Sequence, residues 1–292
     1  MRVPDLAARS DGLLGGLLPL PRTPARAGRL LSNLLLSAMF LVGVVTVVEN
    51  WHLSDLKAYL AAAELLAAGG NPFEVQLWER GLPYHYHYSP WFAALFVPLT
   101  YLPLELVQVG WSIILIGASA MALVPLVRQF GTAVYPFAML MAFLLANLVA
   151  EGNVQPLLLA ALIWTLERRS GPIAVGVAAS LKITPILFAL VYASRGEWRG
   201  AFLAGAVAAV LVAPTLLFEL PETATATGGT GLFTTAPVLW GVMLVAALAV
   251  TWWLARGRFG WLAAATATVL ALPRLLIFDV TNLLAALPRA RR

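Results

Sequence analysis

Three groups of residues in this sequence have the types and spacing to do chemistry. Asp55 opens the stretch Ser54-Asp55-Leu56-Lys57-Ala58-Tyr59, shortly after the first long apolar segment. A carboxylate placed there can take a proton from a hydroxyl as a general base. Lys182 is an isolated charge inside an apolar run. Such a charge is costly, and it either serves an anionic ligand or pairs internally, here with Asp279 or Glu151. His85 and His87 alternate in Tyr84-His85-Tyr86-His87-Tyr88, with His52 upstream. Alternate residues of an extended segment point the same way, and three histidines suit a metal. No carboxylate is spaced to complete the set, so no metal is expected, and an interfacial Tyr/His girdle is the plainer alternative. Asn153 and Gln155 lie between two apolar stretches. They can bond hydroxyls of a ligand at a cavity rim or cap helices.

Composition says what must hold these residues. The chain has 292 residues, 61% hydrophobic and 11% charged, with a mean hydropathy of +0.84. Soluble domains are about 45–50% apolar and about 25% charged. The apolar runs are continuous rather than alternating, which favours helices over a barrel. The expected fold class is all-α, a polytopic transmembrane protein with an outer loop and several short or re-entrant helices. With no cysteine, disulfides are excluded. The net charge of +5 is no sign of nucleic-acid binding, because basic residues in a membrane protein mark the cytoplasmic side. Residues 1–29 are expected to form a basic cytoplasmic tail with no cleavable signal, and 30–292 a single membrane domain.

Residues 30–48 form the first expected span, since a helix needs about 20 apolar residues to cross. Residues 54–68 are expected to form an amphipathic surface helix with Ser54 as N-cap, ended by Gly69-Gly70-Asn71-Pro72. Leu56, Leu60, Ala63 and Ala67 share one face, and Asp55, Tyr59 and Ala62 another. Asp55 then falls in the first turn, where the helix dipole favours an ionised carboxylate. Further apolar stretches cover 104–127, 132–150, 156–166, 201–220 and 237–255, with a Thr/Gly loop before the last. Three more, at 89–103, 172–193 and 260–287, carry Pro98, Pro185 and Pro273 near their middles. If all of these crossed, Arg128, Arg168, Arg169 and the C-terminal arginines would fall outside, against the positive-inside rule. If the three proline-broken stretches turn back instead, those arginines join Arg195, Arg199, Arg256 and Arg258 inside. Asp55, Glu151 and Asp279 then gather outside, around an outward cavity. A single cysteine at position 153 should label only from the extracytoplasmic side; labelling from the cytoplasm overturns this arrangement.

The stretch Ser54-Asp55-Leu56-Lys57-Ala58-Tyr59, the small-residue helix ending Gly-Gly-Asn-Pro-Phe, Tyr86-His87-Tyr88-Ser89-Pro90, Gly152-Asn153-Val154-Gln155, the segment 176–185, Glu197-Trp198-Arg199 and Pro273 to Asp279 recur in one order. Together they resemble the polyprenol-phosphate-mannose-dependent α-mannosyltransferases, membrane enzymes of the GT-C fold. One departure is that the family more often has Gly-Gln-x-Asn where Asn153 precedes Gln155 here. The resemblance implies transfer of mannose, or a related hexose or pentose, from a polyprenyl-phosphate donor to a lipid or glycan acceptor. It implies inversion, an outer-face site and no nucleotide sugar, and no cofactor is expected. It places Asp55 at the catalytic position. Lys182, with Arg80 or Arg274, is expected to meet the donor phosphate, and His85 or His87 the phosphate or acceptor. Tyr59, Asn153, Gln155 and Asp279 are expected to bind or orient substrate. The expected setting is a bacterial plasma membrane. A second reading is a small-molecule or lipid transporter or flippase, since broken helices and a midplane lysine also suit a substrate path. Against it, the sequence shows no pseudo-symmetric halves.

Overall fold

Proline and glycine divide the long apolar runs of this chain into helices of very unequal length. The computed structural model describes residues 51–79, 82–220, 232–272 and 276–286, plus single helical, exposed positions between 30 and 49. The side chains at 78–79, 82–84 and 132–133 are outside that description. Arg80, Arg274 and Pro273 fall outside the described residues, as do the tail 1–29 and the loop 221–231.

Among the residues described from 51 onward, eleven helices carry the fold: α1 Ser54–Ala67, α2 Pro90–Phe96, α3 Leu104–Phe130, α4 Tyr135–Glu151, α5 Gln155–Thr165, α6 Gly171–Leu181, α7 Ala189–Ser194, α8 Trp198–Val212, α9 Leu232–Thr235, α10 Pro237–Leu254 and α11 Gly260–Leu270. Four 3-10 stretches of five or more residues extend or join them, at Val97–Tyr101, Thr184–Phe188, Ala213–Leu217 and Ile277–Ala285. Among the described residues one antiparallel hairpin, β1 Gln76–Glu79 with β2 Leu82–His85, interrupts an otherwise all-α architecture. Among the described residues, three helical stretches are long and apolar enough to cross a membrane: Leu104–Phe130, Trp198–Leu217 and Pro237–Leu254. The expected span at 132–150 is a 17-residue helix. It starts late because Gly131, at φ 62°, and a 3-10 turn precede it. α8 and α10 expose Phe202, Val210, Val238 and Trp253, as lipid-facing helices do.

α1 differs from the surface helix expected of it. Leu56, Ala58, Tyr59, Leu60, Ala62 and Ala63 are all buried. Alanine on several faces lets α2, the Val97–Tyr101 turn and α4 pack close around it. Its N-cap is Leu53, not Ser54, which lies inside the first turn. Leu53 takes φ 50°, the left-handed region, at a cost on the order of 1–3 kcal/mol. Its buried side chain and its N–H bond to the Ala150 carbonyl at 2.9 Å hold it there. The stop at Gly69, φ 78°, is as the sequence indicates.

The middle of the chain turns back on itself. The Tyr192 hydroxyl donates to the Leu166 carbonyl at 2.6 Å, Arg195 Nε to Ala255 at 2.8 Å and Arg256 Nε to Ser194 at 2.9 Å. Both feet of the 171–194 segment therefore stand at one end of the bundle, with the Arg195 guanidinium 5.0 Å from the Trp261 ring centre. α6 rises about 16 Å from that end, roughly half a hydrocarbon core. It breaks at Lys182, whose backbone is extended at φ −134°, just ahead of the turn containing Pro185. Asp55 and Asp279 lie in electrostatic reach of Lys182, and Glu151 in reach of Asp55, so these acidic residues gather away from the arginine-rich end.

α6 can enter the bundle this deeply because Gly176 lets α8 approach. A Cβ there would lie 2.6 Å from the Ala204 carbonyl oxygen and 2.6 Å from Val207 Cβ. Gly176→Ala should lower stability by about 1–3 kcal/mol through overpacking, read as a fall in thermal midpoint. An unchanged midpoint contradicts this packing.

Candidate active site

The site begins with a glycine. α4 ends at Gly152, φ 74°, whose N–H bonds to the Val149 carbonyl while that of Asn153 bonds to Leu148. A Cβ at Gly152 would sit 3.0 Å from Leu56 Cβ and 3.1 Å from the Leu56 nitrogen. The loop thus lies flat on the first turn of α1, clamped by the Leu53–Ala150 bond and by Trp111 Nε1 donating to the Gly152 carbonyl at 2.8 Å. This arrangement delivers Asn153 to Asp55. Asn153 Nδ2 donates to Asp55 Oδ2 at 2.5 Å, and Asn153 Oδ1 accepts from the Gln155 backbone N–H at 2.9 Å. One side chain therefore both caps α5 and holds the carboxylate.

Lys182 arrives from a distant part of the chain, with its charge in electrostatic reach of Asp55 and Asp279. Asp279 is buried in the Ile277–Ala285 stretch and accepts the Leu276 N–H at 2.8 Å. Residues three apart eclipse in a 3-10 helix, so Asn282 shares the face of Asp279. Asn282 Oδ1 takes a hydrogen bond from Gln155 Nε2.

Asp55, Tyr88, Glu151, Asn153 and Lys182 are each half-buried. They keep accessible surface although protein packs around them, and so they line a recess. Desolvation is the largest influence on Asp55 and pushes its carboxyl pKa up to about 6, with Glu151 adding to the rise. The Asn153 hydrogen bond and the Lys182 charge pull the other way. Burial thus outweighs the helix dipole expected to favour the ionised form. The result is a carboxylate still mostly ionised at neutral pH yet more basic than an exposed one, as a general base requires. Burial likewise raises Tyr88 and keeps its hydroxyl protonated, the charges of Asp55 and Asp279 adding to the effect.

Four expected site residues are placed differently or away from Asp55. Tyr59 is 1% exposed, ringed by Tyr86, Tyr88, Phe92, Phe96 and Trp111 at centroid distances of 5.0–6.5 Å. It is a core residue and cannot contact substrate. Its hydroxyl makes no hydrogen bond of ordinary geometry, although the Tyr88 hydroxyl and the Val154 backbone are close. Gln155 is buried against Asn282 rather than set at a cavity rim. His85 is tied to the Val75 carbonyl at 3.3 Å, and His87 is exposed beside it with ring centres 5.9 Å apart. Among the described residues no three His, Asp or Glu side chains gather as metal ligands. Arg80 and Arg274 fall outside the described residues.

The elements that bring Tyr88, Glu151, Asn153 and Lys182 to this recess lie within a family match: the model of glycosyltransferase family 87 matches residues 86–278. The chain belongs to glycosyltransferase family 87. It is therefore a membrane glycosyltransferase, with lipid or glycan substrates and the bilayer as its partners. No curated protein and no solved structure matches it. Asp55 lies upstream of the family 87 match, while Tyr88, Asn153 and Lys182 lie within it. Tyr88, Trp111 and Asn282 are members of the site that sequence reasoning missed. Tyr88 is hidden in an aromatic run that interfacial preference already explains. The 3-10 register pairing Asn282 with Asp279 leaves no helical periodicity to find.

Proposed function

We propose that this family 87 enzyme transfers mannose, or a related hexose or pentose, from a polyprenyl-phosphate donor to a lipid or glycan acceptor, with inversion, at the extracytoplasmic face. The acceptor hydroxyl oxygen bonds to the anomeric carbon as the bond from that carbon to the phosphate oxygen breaks. Asp55 takes the hydroxyl proton, and the polyprenyl phosphate leaves with the electron pair. Phosphate is already a good leaving group, so one carboxylate suffices. Lys182 stabilises the charge that builds on the departing phosphate. The apolar groove of about 490 Å³ between α10 and α11, lined by Met243, Val250, Leu262 and Thr266 among others, offers a bed for an isoprenoid chain.

The observation that carries this reading is the meeting of Asp55 and Lys182 in one recess, with Asn153 holding the carboxylate. An arginine-rich opposite end supports the extracytoplasmic assignment, because positive charge stays inside. Membership of a glycosyltransferase family argues against the transporter. The test is purified enzyme in lipid with radiolabelled polyprenyl-phosphate-mannose and a pool of cell-envelope lipids. Label should move to a new product; folded enzyme that moves none overturns the donor assignment.

A further inference from the structure

Tyr88 has a set of contacts that neither packing nor the proton transfer uses. Its backbone is fixed by a tight turn: the Tyr86 hydroxyl donates to the Ser89 carbonyl at 2.8 Å, and Ser89 Oγ donates to the Leu211 carbonyl at 2.6 Å. Pro90 then starts α2. Its ring is fixed as well, edge-on to Tyr59 at 5.2 Å and 88°, and tilted against Phe92 at 5.4 Å and Tyr86 at 5.9 Å. A ring so held aims its hydroxyl at one place. That place lies beside Asn153, in reach of the charges of Asp55 and Asp279. The Asn153 and Tyr59 side chains face the Tyr88 oxygen as donors, and Asn153 is also engaged by Asp55 through its nitrogen and by the Gln155 N–H through its oxygen, so it is the O–H of Tyr88 that can donate outward. Tyr88 nevertheless keeps accessible surface, whereas Tyr59 directly behind it keeps almost none.

The geometry points to Tyr88 as an acceptor-binding residue: its hydroxyl donates a hydrogen bond to an oxygen of the acceptor sugar next to the hydroxyl that attacks. The inference rests on the glycosyl-transfer reading with Asp55 as base, and it names the contact that orients the acceptor for it. A phenol donor beside the Asp55 carboxylate, an acceptor, matches a ligand with vicinal hydroxyls, each both donor and acceptor. Two neighbouring oxygens fixed at once leave one hydroxyl facing Asp55, which sets the linkage formed as well as the rate.

The test is binding of methyl α-mannoside, α-glucoside and α-galactoside to the full-length enzyme in nanodiscs, by saturation-transfer NMR, comparing wild type with Tyr88→Phe. The variant removes one oxygen and keeps every ring contact. The glycoside that wild type binds best should bind the variant roughly tenfold to hundredfold more weakly. One monodeoxy analogue of that glycoside should bind wild type equally weakly and be indifferent to the substitution, a pairing that a purely structural tyrosine does not produce. Equal affinity in wild type and variant, a uniform loss across all deoxy analogues, or no saturable binding of any of the three sugars by wild type each overturns the assignment. Glycoside binding sensitive to Tyr88 without transfer from polyprenyl-phosphate-mannose overturns the donor reading and leaves this one standing.

Discussion

Asp55→Asn should lower the transfer rate about 10²–10⁴-fold, the range spanned by removal of a general base, while leaving the fold at least as stable as wild type. The two outcomes have one origin. Protein packed around Asp55 raises its folded pKa to about 6 from an ordinary value of 3.8. Folding therefore favours the protonated form, and stability falls as pH rises from about 4 through about 6. Above that window the ionised carboxylate is a standing cost. Asparagine keeps the shape and still accepts the Asn153 hydrogen bond, so at neutral pH it relieves that cost. The thermal midpoint should hold or rise as activity collapses, the usual relation where a site is destabilised for function. The pH profile follows with the opposite sense, because the base works only when ionised. The wild-type kcat/KM should fall as pH drops through about 6. Activity retained in Asp55→Asn removes Asp55 from the chemistry, and a midpoint far below 6 contradicts the desolvated environment.

The fold was legible wherever chain breaks are local. Glycine at 69 and proline within 172–193 act on their own backbone or the residue before it, so a stop and a turn can be placed without knowing the neighbours. Asp55 and Lys182 stood out for a related reason, since a charge in an apolar context announces itself. The environment of α1 was not legible. Its alternation of leucine, alanine and charge suits an interfacial helix equally well, and only the close approach of α2 and α4 buries it. The same tertiary override reassigned Tyr59, which shares a face with Asp55 four residues earlier but is sealed by five aromatic rings from elsewhere. Gln155 and Asn282 show a further limit: their hydrogen bond joins residues 127 apart in sequence, and neither local pattern hints at the other.

Lys182→Gln should reduce kcat/KM for the donor about 10- to 150-fold, with the larger share in kcat. A charged hydrogen bond to phosphate contributes about 1.5–3 kcal/mol. The leaving phosphate carries more negative charge in the transition state than in the bound donor, so the lysine is worth most there. A structural role for Lys182, as counter-ion to buried Asp279, predicts a different failure. Removing one partner strands the other, at about 3–5 kcal/mol, and the variant then fails to accumulate as folded protein. The double variant Lys182→Gln with Asp279→Asn separates the two, because it leaves no stranded charge on either account. If Lys182 serves the donor, the double variant folds and remains inactive. If Lys182 only balances Asp279, the double variant folds and recovers transfer. The depth of Lys182 makes the distinction sharp. It stands about 16 Å along α6 from the arginine-rich end, yet it keeps accessible surface. A lysine needed only for an internal ion pair gains nothing from that exposure, whereas a phosphate-binding lysine requires it.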